Sequence, residues 1–394
     1  MEPGTQSGAD GAGAEVVAAC GLSAIPGVGA AALARLARKF HSLEGAVREG
    51  PQALLQAGDE LRLEPAAREY LAQDPDLPKL GLWAVGAARD AGARVVLFGD
   101  EAYPEALLQL KSPPPLLYVR GHLIPSALRA AVVGSRQADE QGMEIAREFG
   151  DAFARAGIQV ISGGARGIDT AAHEGALAAH GTSVAVLGCG IDVAYPAENA
   201  DLFARIAAGG AVISEFAPGT PPAPGNFPRR NRIVAALGDA VVVVRAALRS
   251  GALITAEHAA DMDRQIFAVP GDRRNALASG PDSLLRRRVA KAAPAPIAVL
   301  QAMGWPVPDG LRRIESPADA SQADASGVPP APNHVGGGLV EEALWRLLDE
   351  TTPTHVDDLA LRSQIPAREA LRKLTDLELK GMVVQRPGKF FLRR

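Results

Sequence analysis

From Gln159 to Glu174 the chain reads Gln-Val-Ile-Ser-Gly-Gly-Ala-Arg-Gly-Ile-Asp-Thr-Ala-Ala-His-Glu, a pattern suited to holding phosphate. A β-branched run stops at Ser162, Gly163 and Gly164 permit a tight turn, and an alanine-rich helix opens near Gly167. Glycines let a backbone approach a ligand closely. The first turn of a helix also leaves N–H groups unpaired at the positive end of its dipole. Two more segments carry related chemistry. One is Gly134-Ser135-Arg136, directly after Val132-Val133; the other is Asn226-Phe227-Pro228-Arg229-Arg230-Asn231-Arg232. The second combines cations with an aromatic ring, the means by which single strands are bound through charge and base stacking. In open parallel sheets ligands bind beyond the carboxyl ends of the strands, so the two glycine turns should meet in one crevice.

The expected roles follow from residue type. Arg136 and Arg230 neutralise phosphates, the Gly134 and Gly163 turns supply backbone donors, and Phe227 stacks on a base. Ser162, Gly164, Arg166, Gly167, Arg229 and Asn231 complete the candidate site. Arg232 has two readings, a phosphate contact or a brace for Glu215 or Asp239.

The same residues exclude several functions. No Gly-Lys-Ser/Thr follows the glycines, so the loop is not that of a Walker-type hydrolase. The Gly-x-Gly-x-x-Gly spacing of dinucleotide-binding proteins is missing as well, and no cofactor is expected. Asp169 and His173, four apart on one predicted helix, read either as a catalytic pair without a nucleophile or as a structural contact. No histidine spacing suggests zinc. Cys20 and Cys189 are too few for a disulfide framework, and a reducing cytoplasm is the expected compartment.

Around these residues the 394-residue chain must fold as more than one core. Net charge is −4, yet residues 226–291 hold twelve Arg/Lys against six Asp/Glu, a local basic face on an otherwise acidic protein. Residues 1–14 read as a disordered tail and 15–78 as a small helical domain. In the latter, Ile25-Pro26-Gly27-Val28-Gly29 resembles a helix-hairpin-helix (SAM-like) turn, or is a plain packing unit. Residues 79–305 alternate strand and helix. Strands are predicted at 94–98, 131–133, 159–161, 184–187, 211–213, 241–244 and 266–269, with helices such as 142–156 and 168–180 between them. Short continuous Val/Ile/Ala runs suit parallel strands buried on both faces, so the fold class is α/β, a Rossmann-like doubly wound, mostly parallel sheet. Residues 306–338, rich in Pro, Ala, Ser and Gly, read as a linker. In 339–394, three helices and a terminal hairpin outline a winged helix, with Thr354 and Asp357 as a predicted capping pair.

The ordered motifs resemble the DNA-processing protein DprA (Smf) family. They include Tyr103-Pro104, 113–121, Val132 to Arg136, Ser162 to His173, Val186 to Asp192, Tyr195-Pro196, Ile213 to Glu215, Phe227 to Arg232, Ser250 to Thr255 and Phe267 to Gly271. The resemblance implies a non-catalytic protein of natural transformation. It binds and protects incoming single-stranded DNA, helps load the recombinase RecA, and works as a homodimer. It also implies a DNA pocket at Gly134, Ser135, Arg136, Ser162, Gly163, Gly164, Phe227, Arg230 and Arg232. One departure stands out: an arginine of the 286–288 run replaces a family glycine, so no tight turn is expected there. The rival enzyme reading is a LOG-type phosphoribohydrolase, but its Pro-Gly-Gly-x-Gly-Thr motif is replaced by Pro270-Gly271-Asp272-Arg273. A third reading puts the main role on the winged helix, where ten Arg/Lys and nine Asp/Glu suit protein contact better than a DNA groove.

Overall fold

The computed structural model describes residues 13–124, 127–272, 274–309, 311, 344, 347–349, 354–363, 367–379, 382–386 and 390–393. The expected tail, save its last two residues, and most of the expected linker lie outside these. The chain forms two compact units, 1–315 and 316–394.

In the first unit, five helices lead: α1 (Ala14–Ser23), α2 (Ala30–Phe40), α3 (Leu43–Gln56), α4 (Pro65–Ala72) and α5 (Leu77–Asp90). Gly21 and Gly81 let α1 and α5 touch backbone to backbone; a Cβ on Gly81 would stand 2.2 Å from the Val17 carbonyl. The expected domain boundary at 78/79 falls inside α5, which runs on into the sheet. Leu22, Leu33 and Leu36 share one core with Tyr118, Phe203 and Val212 of the α/β part.

Strands β1 (Ala93–Leu97), β2 (Leu116–Gly121) and β3 (Arg129–Val133) precede α6 (Glu140–Arg155), β4 (Gln159–Ser162), α7 (Ile168–Ala178) and β5 (Ser183–Val186). Then come α8 (Ala200–Gly209), β6 (Ala211–Ser214), α9 (Asn226–Leu237), β7 (Ala240–Val243), α10 (Gly251–Ala260), β8 (Gln265–Ala268), α11 (Ser279–Arg286), β9 (Lys291–Ala292) and α12 (Pro296–Met303). The sheet order is β1-β2-β6-β5-β4-β3-β7-β8-β9. Every pairing from β6 to β9 is parallel, and β2 runs antiparallel to both its neighbours. β7 shows why such strands read as unbroken apolar runs: Ala240 and Val242 face the core under α6 and α7, while Val241 and Val243 face that under α9 and α10. Helix α9 carries the chain from β6 back across β5, β4 and β3 to β7. That crossover brings its first turn to the carboxyl ends of β4 and β5.

In the second unit, β10 (Thr354–His355), α13 (Val356–Ser363), α14 (Ala367–Leu379), β11 (Val383–Arg386) and β12 (Phe390–Arg393) enclose Leu344, Leu359, Leu374 and Phe391. Thr354 was expected as a helix cap. It instead pairs with Phe391 in a three-stranded sheet, as the third strand of a winged helix.

The arginine run corrects another expectation. Arg288 adopts φ 55°, and the Arg288 and Val289 amides donate to the Leu285 and Leu284 carbonyls at 3.0 and 3.0 Å. This is a Schellman closure of α11 with arginine where glycine is preferred. The tight turn exists despite the substitution. Positive charge beside the helix's negative end offsets part of the backbone cost. Arg288→Gly is expected to raise stability by about 0.5–1 kcal/mol, seen as a higher urea midpoint with an unchanged slope.

Candidate nucleic-acid interface

The loops after β3, β4 and β5 meet the first turn of α9 in a two-lobed crevice. One lobe, about 180 Å³, is lined by Arg136, Gly163, Arg166, Gly188, Tyr195, Phe227 and Arg230. The other, about 230 Å³, runs past Gly134, Ser135, Asn231, Ser250 and Thr255 and shares Arg136, Gly163 and Arg230 with the first. The expected convergence of the two glycine turns is therefore what the structure displays.

A stack of flat groups forms one wall. The Arg136 guanidinium carbon lies 4.4 Å from the centre of the Phe227 ring, and the Tyr195 ring sits 5.6 Å from Phe227 at 38°. Guanidinium over a ring face is favourable through the ring quadrupole. Phe227 rests on Gly188, where a Cβ would come within 2.8 Å of its ring. Tyr195 was absent from the sequence-derived site. Its signal was the Tyr-Pro pair shortly after the Gly-Cys-Gly turn that closes β5.

Arg230 is placed differently from a surface cation. It is 3% exposed, and its Nη1 donates to the main-chain carbonyls of Gly163 and Val186. Its Nε donates to Asn231 Oδ1 at 3.2 Å. Burial pulls its pKa down to about 10, opposed by the nearby Asp169 carboxylate, so it still carries charge at neutral pH. It is the floor of the crevice, tying β4 and β5 to α9. Asn231 is likewise tied, donating to the Gly251 carbonyl at 3.0 Å.

The glycines serve loop packing more than ligand approach. A Cβ on Gly134 would meet Ile168 at 2.5 Å, and one on Gly163 would meet Arg230. Gly164 (φ 64°) passes under Phe203, and Gly167 (φ 75°) under the Ser135 carbonyl. Ser162 is buried and donates to the Val132 carbonyl at 2.6 Å. The expected phosphate cradle at the start of α7 is partly filled from within. The Ile168 amide donates to Ser135 O at 3.2 Å, and Asp169 accepts from the Ala165 amide at 3.3 Å. Burial raises the Asp169 pKa, with Arg230 opposing.

Four further expectations resolve by placement. Arg166 reaches the crevice but is paired with Glu198. Arg229 turns to the opposite side of α9, over the Phe216 ring at 5.4 Å. Arg232 is a brace, 2.5 Å from Glu215, whose side chain is 4% exposed; Asp239 pairs instead with Arg264 at 3.8 Å. His173 makes no hydrogen bond to Asp169. Its Nδ1 lies 2.7 Å from Ser183 Oγ, which itself donates to the Val160 carbonyl, so Nδ1 carries the proton.

An open doubly wound sheet, with arginines and stacked rings at its strand ends, defines a Rossmann-like α/β protein. The chain belongs to the DNA recombination-mediator protein A family, whose profile matches residues 94–304; residues 328–389 match the DprA winged helix domain. Protein Smf of Synechocystis sp. is 31% identical, with 94% of this chain and 97% of that protein covered. Protein Smf of Escherichia coli is 38% identical, with 75% and 76% covered. The X-ray structure of DNA processing protein A from Streptococcus pneumoniae superposes with TM-score 0.61 at 28% identity, covering 73% of this chain and 97% of that one.

Two predictions concern buried ionisable groups. Arg232→Ala strands Glu215 in the core and is expected to cost about 3 kcal/mol in chemical denaturation. Burial, reinforced by Arg230, pushes the His173 pKa down to about 3 from 6.5. A depressed imidazole contributes stability above the unfolded value that is lost as pH falls through 6.5 towards 3. His173→Asn, with an amide in place of Nδ1–H, should flatten that part of the stability–pH curve; an unchanged slope would place the acid lability elsewhere.

Proposed function

We propose that this protein is a non-catalytic binder of single-stranded DNA, with the strand lying in the crevice between the β3–β5 loops and α9. The observation that carries the reading is the Arg136–Phe227–Tyr195 stack, an exposed cation and two rings beside a floor charged by Arg230. Bases stack on Phe227 or Tyr195, and Arg136 meets a phosphate. The Gly134 and Gly163 turns line the track, with Ser135, Gly164 and Gly167 fixing their packing. Sequence preference is weak, because stacking accepts every base. Asp169, the carboxylate lining the crevice, is committed to its own loop, which favours binding over glycosidic cleavage.

The family resemblance extends the proposal to a cytoplasmic homodimer that protects incoming strands during natural transformation and helps load RecA on them. Among the described residues no helix is long and apolar enough to cross a membrane.

Titration with oligo-dT at several salt concentrations tests the crevice. Arg136→Ala should weaken binding and shrink the slope of log affinity against log salt by about 0.7, one phosphate's counterion release on a single strand. Phe227→Ala should cost about 1–3 kcal/mol while leaving that slope unchanged. A wild-type affinity indifferent to salt, or base released from nucleoside monophosphates, overturns the reading.

A further inference from the structure

The first turn of α9 presents two sides. Phe227 and Arg230 line the crevice, whereas Asn226 and Arg229 line a separate cleft of about 650 Å³. Its far wall is the hairpin joining α1 to α2, the Gly27-Val28-Gly29 turn that the crevice does not use. An adjoining hollow of about 330 Å³ shares that hairpin and Arg229, and adds Arg35, Arg62 and Arg232.

The charges in the hollow are out of balance. Glu215 pairs with Arg232 and also attracts Arg229, which leaves one carboxylate between two arginines. Arg35 donates to the main-chain carbonyls of Leu61 and Arg62, at 2.6 and 3.4 Å, which leaves its charge uncompensated. Arg62 is exposed at the rim. Arg229 presses on Gly29, where a Cβ would stand 2.9 Å from its Nη2. Gly29 is the N-cap of α2, so a guanidinium faces the positive end of an eleven-residue helix. Arginines at the mouth of a helix N-terminus repel it and one another, and Glu64 is the one further carboxylate in the lining. An anion entering the hollow relieves that repulsion.

We infer that this hollow seats a backbone phosphate of the same single strand, which runs from the crevice across the first turn of α9 to the amino-terminal hairpin. The inference rests on the crevice reading. A polymer is the ligand that reaches both places, because Arg229 and Arg230 are neighbours in sequence and only the width of α9, about 10 Å, separates the two hollows. The Gly-Val-Gly turn with Arg35, Arg62 and Arg229 then forms the second station of one path. The hairpin is thus a specificity element for strand length.

Two substitutions test this without endangering the fold. Ala31 is exposed in the hollow's lining and lies in the first turn of α2, where Ala31→Glu adds a carboxylate that favours the helix dipole while repelling phosphate. Arg62 has φ 48°, so Arg62→Asn removes the charge with a residue that tolerates left-handed backbone. Fluorescence anisotropy on the full chain would compare oligo-dT of about six and about twenty nucleotides. Both variants should bind the short oligomer as wild type does and the long one about three- to tenfold more weakly, with a reduced salt slope. Arg136→Ala should weaken both lengths. If the hollow variants hold the long oligomer at wild-type affinity while Arg136→Ala loses it, the second station is refuted and the crevice stands. If Arg136→Ala changes neither length, the crevice reading falls and this inference falls with it.

Discussion

The site hangs on the buried guanidinium of Arg230. Sheet strands end in carbonyls that need donors, and the ends of β4 and β5 sit under α9 away from water. Arg230 satisfies Gly163 and Val186 together, so a single side chain from the crossover helix sets the spacing of two glycine loops. An isolated charge at 3% exposure would be costly. Asp169, also buried, supplies the counter-charge from the first turn of α7, just after the loop that Arg230 holds. Removing the arginine would therefore release two carbonyls and a carboxylate at once, which makes it a poor single probe of ligand binding.

Around that anchor, glycines pay for close approach of protein to protein. The Gly134 and Gly167 turns lean on each other, Gly188 makes room for Phe227, and Gly164 passes beneath Phe203. The result is a closely packed lip that leaves Arg136 and Tyr195 exposed beside the Phe227 ring.

Much of this was legible from residue order, and the exceptions have physical causes. Strand runs such as Ala240–Val243 announce themselves because both faces are buried. β2 does not, since it follows three prolines and contributes an inverted strand to an otherwise parallel sheet. The convergence of the Gly134 and Gly163 turns followed from the carboxyl-end rule. The sorting of the Arg229–Arg232 cluster did not. Four successive helical positions point to four sides, and only the path of α9 across the sheet decides which arginine is floor, which is brace and which looks outward. Tyr195 was missed because a ring in an irregular loop has no periodicity to betray its direction. Arg288 was misjudged because a left-handed turn is costly but not forbidden to a non-glycine residue.

The inverted strand β2 has a consequence for the making of the protein. Tyr118 pairs with Ser214, and the core beneath α1 and α2 is completed by Phe203 and Val212. On the ribosome the five leading helices emerge long before these partners. They can pack on one another at once, but the side of their core that Tyr118, Phe203 and Val212 close has to wait for β6. The amino-terminal helices are thus first to be synthesised, yet one side of their core is completed only when the middle of the chain has followed.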